Sequence, residues 1–277
     1  YTSAGDLTYE NGLKQASTWA DFLIPEFEHG AFNVAGLISF MKGLVDNGPT
    51  KAGHRTPAII ATLPANGRTA LEVRANAWQI RQLLSAGVHG ILLTHARQAD
   101  AVRAFIEECR YPFHTSGREG LGEGQRGAGG QVKPAEIWGI NASDYVNIAD
   151  PWPLNPKGEL FLGVKLENQE SAANADAICR VPGLAFAEWG PSDMGMSFGF
   201  TNANGPPYIE GMNLVRERIK AACDANNLKF LCSWNDPSMT EEQKVRQLMD
   251  LGAHIFAGGE EMAKIGRKIT RRKMPVG

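Results

Sequence analysis

Short, nearly continuous apolar runs recur along the chain with amphipathic stretches between them, and this alternation constrains the fold more than any other feature. The runs fall at 22–24, 58–63, 90–93, 160–166, 184–187, 230–232 and 255–257. Most are rich enough in β-branched or aromatic residues for buried parallel strands. Between them, 77–86 reads "AWQIRQLLSA", with Trp78, Ile80, Leu83 and Leu84 on one face and Gly87 as a C-cap. Further helical patterns lie at 99–109, 170–180, 214–226 and 240–251, the last ending in Gly252. Strand and helix repeating in this order give βα units, hence a parallel sheet covered by helices. Seven strand candidates in 277 residues, joined by right-handed crossovers, predict an α/β fold: a (β/α)8 TIM barrel forming a single domain over 1–277. The eighth strand should precede Phe22. "GDLTY" at 5–9 is a poor strand, so the first strand is weak or the chain starts inside it. A doubly wound open sheet is the runner-up, but no GxGxxG turn follows a first strand.

Composition removes several classes of function. The formal net charge is −2, so no basic field argues for nucleic acid. The basic tail "KIGRKITRRKMP" reads as a solvated final helix with a frayed end. Cys109, Cys179, Cys223 and Cys232 show no CxxC spacing and read as reduced core thiols of a cytoplasmic protein. No apolar run approaches the roughly 18 residues of a membrane span. The chain opens at Tyr1 rather than Met, which reads as a processed or trimmed form.

Two long segments interrupt the alternation. "TSGREGLGEGQRGAGG" at 115–130 is mostly glycine and charge, and "DPWPLNPKGE" at 150–159 is rich in proline. Loops this long are usually functional or disordered, and both are expected at one elaborated edge of the barrel mouth. Chemistry in such barrels sits where strands end, so polar residues immediately after apolar runs are the candidates. "FLIPEFEHG" offers Glu26, Glu28 and His29, "IIATLPANG" offers Thr62, "GILLTH" closes at His95, "GVKLENQE" at Glu167, and "AFAEWGPSD" reaches Asp193.

Glu167 and Asp193 are one βα unit apart, which puts both carboxylates on neighbouring strand ends facing one mouth. Two such groups repel unless one is protonated or a cation sits between them. A hard divalent ion, Mg²⁺ or Mn²⁺, suits two carboxylates with water and a chelating substrate. His29, beside Glu28, is a natural general base near neutral pH. Arg126, in "GQRG", sits among glycines whose backbone N–H groups can approach an anion, and so joins His29 and Glu28 as a catalytic candidate. Trp189, beside Asp193, reads more simply as a packing aromatic than as a substrate platform.

These motifs together resemble the HpcH/HpaI aldolases, the class II pyruvate aldolases of the phosphoenolpyruvate/pyruvate barrel superfamily. The matching features are "FEHG", "RYP" at 110–112 followed by "GQRGAG", "KLEN" at 165–168 and "GPSDMGMSFG" at 190–199, in the family's order and spacing. The resemblance implies a divalent metal (Mg²⁺ or Mn²⁺, with Co²⁺ also in range) on Glu167 and Asp193. It implies a 2-oxo acid completing the coordination, so that a pyruvate enolate is stabilised. His29 would match the histidine that works with a metal-bound water, and Glu28 would hold waters in the metal shell. Backbone N–H groups around Gly190, Pro191 and Ser192 (Pro191 itself having none) would bind the substrate carboxylate, with Thr62 and Trp189 also lining it. The "GQRGAG" loop resembles a segment that closes over the mouth. A homo-oligomer, trimer or hexamer, is implied as well.

Three positions depart from the family pattern. Thr62 stands where most members place an arginine that stabilises the enolate, a loss of about 10²–10³ in rate for a charged donor. Ser85 stands for the aspartate that orients the histidine, and Glu26 for the aspartate of "DxEH". The expected reaction is retro-aldol cleavage of a 4-hydroxy-2-oxo acid to pyruvate and an aldehyde. A base associated with His29 takes the proton of the C4 hydroxyl, and the C3–C4 bond breaks as the aldehyde carbonyl forms. The alternatives are other enolate chemistry on the same site, such as oxaloacetate decarboxylation or enolate addition, and a barrel that binds metal and 2-oxo acid without turnover.

Overall fold

The fold is that of a computed structural model, which describes residues 1–203 and 205–272; Lys273, Met274 and Pro275 of the basic tail lie outside the described residues. Eight strands are present among them: β1 (Thr2–Ser3), β2 (Phe22–Ile24), β3 (Ala58–Asn66), β4 (Gly90–Thr94), β5 (Pro151–Trp152), β6 (Leu160–Lys165), β7 (Phe186–Trp189) and β8 (Lys229–Cys232). All pair in parallel in the order β1-β2-β3-β4-β6-β7-β8, with β5 on the start of β6. The result is an α/β fold whose parallel sheet forms a half-barrel of TIM-like form. Beyond β8, Ile255 makes a parallel bridge to Leu231. On its other side the Tyr1 amine donates to Phe256 O at 3.0 Å, and Gly258 N donates to Tyr1 O at 3.2 Å.

The weak first strand expected before Phe22 is present at the very start of the chain. The first strand is Thr2–Ser3, not 5–9, because Thr8 accepts from Asn11 N and caps the helix Tyr9–Gln15. The stretch 255–257 forms the single bridge at Ile255 rather than a full strand. The expected helix at 170–180 is two, Gln169–Ala173 and Ala175–Cys179, broken at Asn174, whose side chain donates to Arg97 O at 2.8 Å.

Side chains partition between the two faces of the sheet with a period of two. Phe22, Ile24, Ile60, Leu92, Phe186 and Leu231 pack together inside the curve of the sheet. Leu23, Ile59, Ile91, Leu162 and Ala187 belong instead to the larger core under the helices. Continuing the inward register along β6 from Phe161 gives Gly163 and Lys165, and along β7 from Phe186 gives Glu188. The interior is therefore apolar low in the strands and charged at their ends. Gly163 is required by this packing, since a Cβ there would lie 2.3 Å from the Phe186 ring.

The glycine-rich loop lies elsewhere than expected. It leaves the C-terminal end of the helix Ala99–Glu108 and leads toward the start of β6, so it belongs to the end where strands begin. Gln125 N and Arg126 N donate to Glu107 O (2.9 Å) and Arg110 O (2.8 Å), and Gly122 N donates to Glu107 Oε1 at 2.7 Å. Arg110 grips Asp150 by two bonds, Nε to Oδ1 at 2.7 Å and Nη2 to Oδ2 at 3.1 Å. That pair is sealed, with side-chain exposures of 1% and 0%. "RYP" and "DPWP" are thus halves of one clamp, and neither long segment covers the mouth.

Candidate metal centre

The loop after β2 is built around Glu26 and Thr62. Glu26 Oε1 accepts from Glu28 N at 2.6 Å, Glu26 Oε2 accepts from His29 N at 3.2 Å, and Thr62 Oγ1 donates to Glu26 Oε1 at 3.0 Å. Thr62 Oγ1 in turn accepts from Phe27 N at 2.7 Å. Every bond of the Thr62 hydroxyl therefore holds this loop in the shape that turns Glu28 inward. Thr62 lines the cavity but carries no charge into it.

Glu28, His95, Glu167 and Asp193 each place one potential ligand atom within 4.8 Å of all the others. They come from four different connections: Glu28 from the loop after β2, His95 one residue past β4, Glu167 two past β6, and Asp193 four past β7. Asp193 lies in the first turn of the helix Pro191–Ser197 rather than in an open turn. His95 has a left-handed φ of 46°, a conformation uncommon outside glycine that recurs at functional sites. This backbone aims its imidazole back at Glu28, with Nε2 3.2 Å from Oε1. His29 stands at the rim, its side chain 69% exposed and its Nε2 3.7 Å from Glu28 Oε2.

Lys165 and Glu188 complete the charged interior. Lys165 Nζ lies 2.6 Å from Glu28 Oε2 and 3.4 Å from Glu167 Oε1. Glu188 Oε1 accepts from Ser233 Oγ at 2.6 Å. Burial alone would raise the Glu28 carboxyl, but His95 and Lys165 outweigh it and hold the group at about 2. Burial and then the neighbouring Glu188 charge push Glu167 well above the usual carboxylate range, against the pull of Lys165. Burial likewise raises Glu188. Burial disfavours the Lys165 ammonium, yet Glu188, Glu167 and Glu28 together keep it above the ordinary lysine range.

The donor set suits a hard divalent cation. Glu167 Oε2 and Glu188 Oε2 are buried with no hydrogen-bond partner, and buried carboxylate oxygens are costly to leave so. Three carboxylates and an imidazole converge on the same few ångströms, which is oxygen-rich chemistry for Mg²⁺ or Mn²⁺. Glu26, Glu28, His29, Thr62, Lys165 and Glu188 line a cavity of about 360 Å³ beside them. A larger cavity of about 720 Å³, around His54, Arg55, His89 and Trp138, opens where the strands begin and holds none of the four clustered residues.

Gly190 is fixed by the same cluster. A Cβ there would lie 2.1 Å from Glu167 Oε1, so the carboxylate passes directly over the glycine backbone. Gly190→Ala is expected to displace Glu167 and weaken Mn²⁺ binding by about tenfold or more, read by isothermal titration, because misplaced ligands lose affinity steeply. Unchanged Mn²⁺ affinity would show that Glu167 needs no such approach.

Other sequence candidates lie apart. Arg126 is 5% exposed, stacks over Tyr111 at 4.2 Å and donates to Tyr145 Oη at 3.1 Å, so it belongs to the clamp at the far end and not to the mouth. Trp189 is fully buried between Tyr208 and Arg216, a packing aromatic. Pro191 is buried as the first residue of its helix, with exposed Ser192 after it. Ser85 ends the helix Ala77–Ser85, close to Gly130 and away from His29's contacts. Sequence reasoning missed Lys165 and Glu188. The signal was there, a period-two register placing them inside the barrel, but both runs read as continuous apolar strands.

With this geometry, comparison with known proteins decides the family. The family model for HpcH/HpaI aldolase/citrate lyase matches residues 49–265. The chain belongs to that family. A hydroxypyruvate/pyruvate aldolase of Cupriavidus necator is 28% identical over 196 residues, covering 69% of this chain. The match spans 63% of that aldolase, less than two thirds of its length. An HpcH/HpaI aldolase/citrate lyase family protein from Burkholderia cenocepacia J2315 has the same fold, with a TM-score of 0.71 at 17% identity over 98% of this chain and 91% of that one. A citrate lyase beta subunit from M. tuberculosis, solved with oxaloacetate and magnesium, gives a TM-score of 0.56 at 16% identity, covering 98% of this chain and 94% of that one.

Proposed function

We propose that this HpcH/HpaI family member is a divalent-metal-dependent carbon–carbon lyase, which cleaves a 4-hydroxy-2-oxo acid into pyruvate, or a related 2-oxo acid, and an aldehyde. The observation that carries the reading is the convergence of Glu28, His95, Glu167 and Asp193 within 4.8 Å at the ends of parallel strands. Glu167 and Asp193 would hold the ion, Mg²⁺, Mn²⁺ or Co²⁺, with Glu28 and His95 within reach of it. When bound, the ion supplies Lewis-acid polarisation of the 2-oxo acid. His29, at the exposed rim, takes the proton of the substrate's C4 hydroxyl, and Glu28 stays ionised beside it to stabilise the imidazolium. The backbone N–H groups of Gly190 and Ser192, at the start of the helix Pro191–Ser197, are assigned to the substrate carboxylate, since helix N-termini favour anions. Thr62 shapes the wall without charge, while Trp189, buried in packing, takes no part in it.

The same reading takes 255–258 as the eighth stave of a closed (β/α)8 barrel spanning a single domain. The bonds from this segment to β8 and to Tyr1 support it. A homo-oligomer, a trimer or hexamer, belongs to the same reading, as the family resemblance implies. Among the described residues no helix is long and apolar enough to cross a membrane.

A panel of 4-hydroxy-2-oxo acids and oxaloacetate, each with Mg²⁺, Mn²⁺ or Co²⁺, tests the reaction by following pyruvate release. Release from at least one 4-hydroxy-2-oxo acid is expected. Release from oxaloacetate alone would assign the site to decarboxylation, and binding of metal and pyruvate without turnover would make it a binding barrel.

A further inference from the structure

Lys165 brings a half-buried ammonium to the mouth, and the proposed reaction leaves it without a task. It is the last residue of β6, with its backbone paired in register to Glu188, so its origin is fixed. Its side chain is 13% exposed, lines the 360 Å³ cavity and has a flexible four-carbon stem. At rest it is bound to two members of the cluster at once, Glu28 Oε2 at 2.6 Å and Glu167 Oε1 at 3.4 Å. The other Glu167 oxygen, Oε2, is buried and has no partner.

We propose that Lys165 is a built-in counter-ion of the cluster, which a divalent cation must displace from Glu167 and which then offers its charge to an anionic ligand in the cavity. The inference rests on the reading of the cluster as a metal site. Two cations sharing one buried carboxylate repel, and water screens that repulsion little at such depth. The empty cluster is stabilised by the ammonium, since three carboxylates packed this closely would otherwise repel or take up protons. Metal entry therefore breaks an existing contact as it makes new ones, and its affinity is lower than the same carboxylates would give alone. Once displaced, the ammonium stays tethered within the cavity, where Thr62 brings no charge. A carboxylate or oxo oxygen arriving there finds in Lys165 the single lysine or arginine among the cavity-lining residues. The protein then binds metal and 2-oxo acid synergistically, each lowering the cost of the other.

Isothermal titration with MnCl2 tests this on wild type, Lys165→Met, Lys165→Gln, Lys165→Arg and Glu167→Gln, each first checked for a cooperative thermal transition. Removing the ammonium is expected to tighten Mn²⁺ binding by about tenfold in the Met and Gln variants, while Lys165→Arg, which keeps the charge, stays near wild type. Added pyruvate is expected to tighten Mn²⁺ binding in wild type and to do so less in Lys165→Met. Unchanged or weaker Mn²⁺ binding in both neutral variants, with binding lost in Glu167→Gln, would overturn the role of Lys165 and leave the metal site standing. Equal Mn²⁺ binding by wild type and Glu167→Gln, or none by any variant, would overturn the metal site and the inference with it.

Discussion

Glu167→Gln is expected to lower metal-dependent pyruvate release by about 10³-fold, the scale on which a lost electrostatic partner of the reacting centre is felt. The amide keeps the shape of the side chain and removes its charge. Glu167 is the most deeply buried of the four clustered residues, and burial with Glu188 already disfavours its ionised form. The metal-free variant should therefore melt at the wild-type temperature or slightly above it, which separates loss of function from loss of fold. Asp193→Asn should act in the same direction, because Asp193 is the other carboxylate of the expected pair. Steady-state rates at saturating Mn²⁺, with melting curves on metal-free protein, make the comparison. A Glu167→Gln enzyme keeping a tenth of the wild-type rate would remove Glu167 from the centre.

Arg110→Met is expected to cost about 3–5 kcal/mol of stability, the usual penalty for stripping one partner from a buried ion pair. Asp150 would be left fully buried, with the His114 imidazole, Nδ1 at 3.6 Å from Oδ2, as a remaining side-chain neighbour. Arg110 also donates to Ser116 O at 2.9 Å, so the glycine-rich segment loses one of its anchors in the same step. In a chain of this size the melting temperature should fall on the order of 10 °C. The double variant Arg110→Met/Asp150→Leu should recover part of the loss, since replacing both charges removes the orphan. Differential scanning calorimetry of the three variants tests this. If the double variant were no more stable than the worse single one, the clamp would not act as a pair.

The residues show why some of this was legible in the chain and some was not. Apolar runs located β2, β3, β4, β6, β7 and β8 because strands buried on both faces must be apolar throughout. The helix Val34–Asp46 escaped notice because Gly36 and Gly43 dilute its pattern. Gly43 is there for contact, since a Cβ on it would lie 2.9 Å from Gly12 Cα in the neighbouring helix. Glu28, Glu167 and Asp193 were legible as polar residues following apolar runs, a position the barrel rule makes informative. His95 was visible by the same rule, but its left-handed backbone, which turns it toward Glu28, has no signature in "GILLTH". Arg126 misled because a glycine-rich loop is equally compatible with either end of a barrel. Only its attachment to the helix Ala99–Glu108 and the start of β6 fixes which end it serves. Thr62 looked like a vacancy in the site, whereas the folded chain commits its hydroxyl to Glu26 and Phe27.

The most direct measurement is pyruvate release by chelator-stripped protein, assayed with a 4-hydroxy-2-oxo acid before and after Mn²⁺ is restored. The cluster of Glu28, His95, Glu167 and Asp193 predicts no release above background without metal and full recovery with it. Release that proceeds unchanged in the stripped protein, or that Mn²⁺ fails to restore in a protein that is still folded, would contradict the assignment.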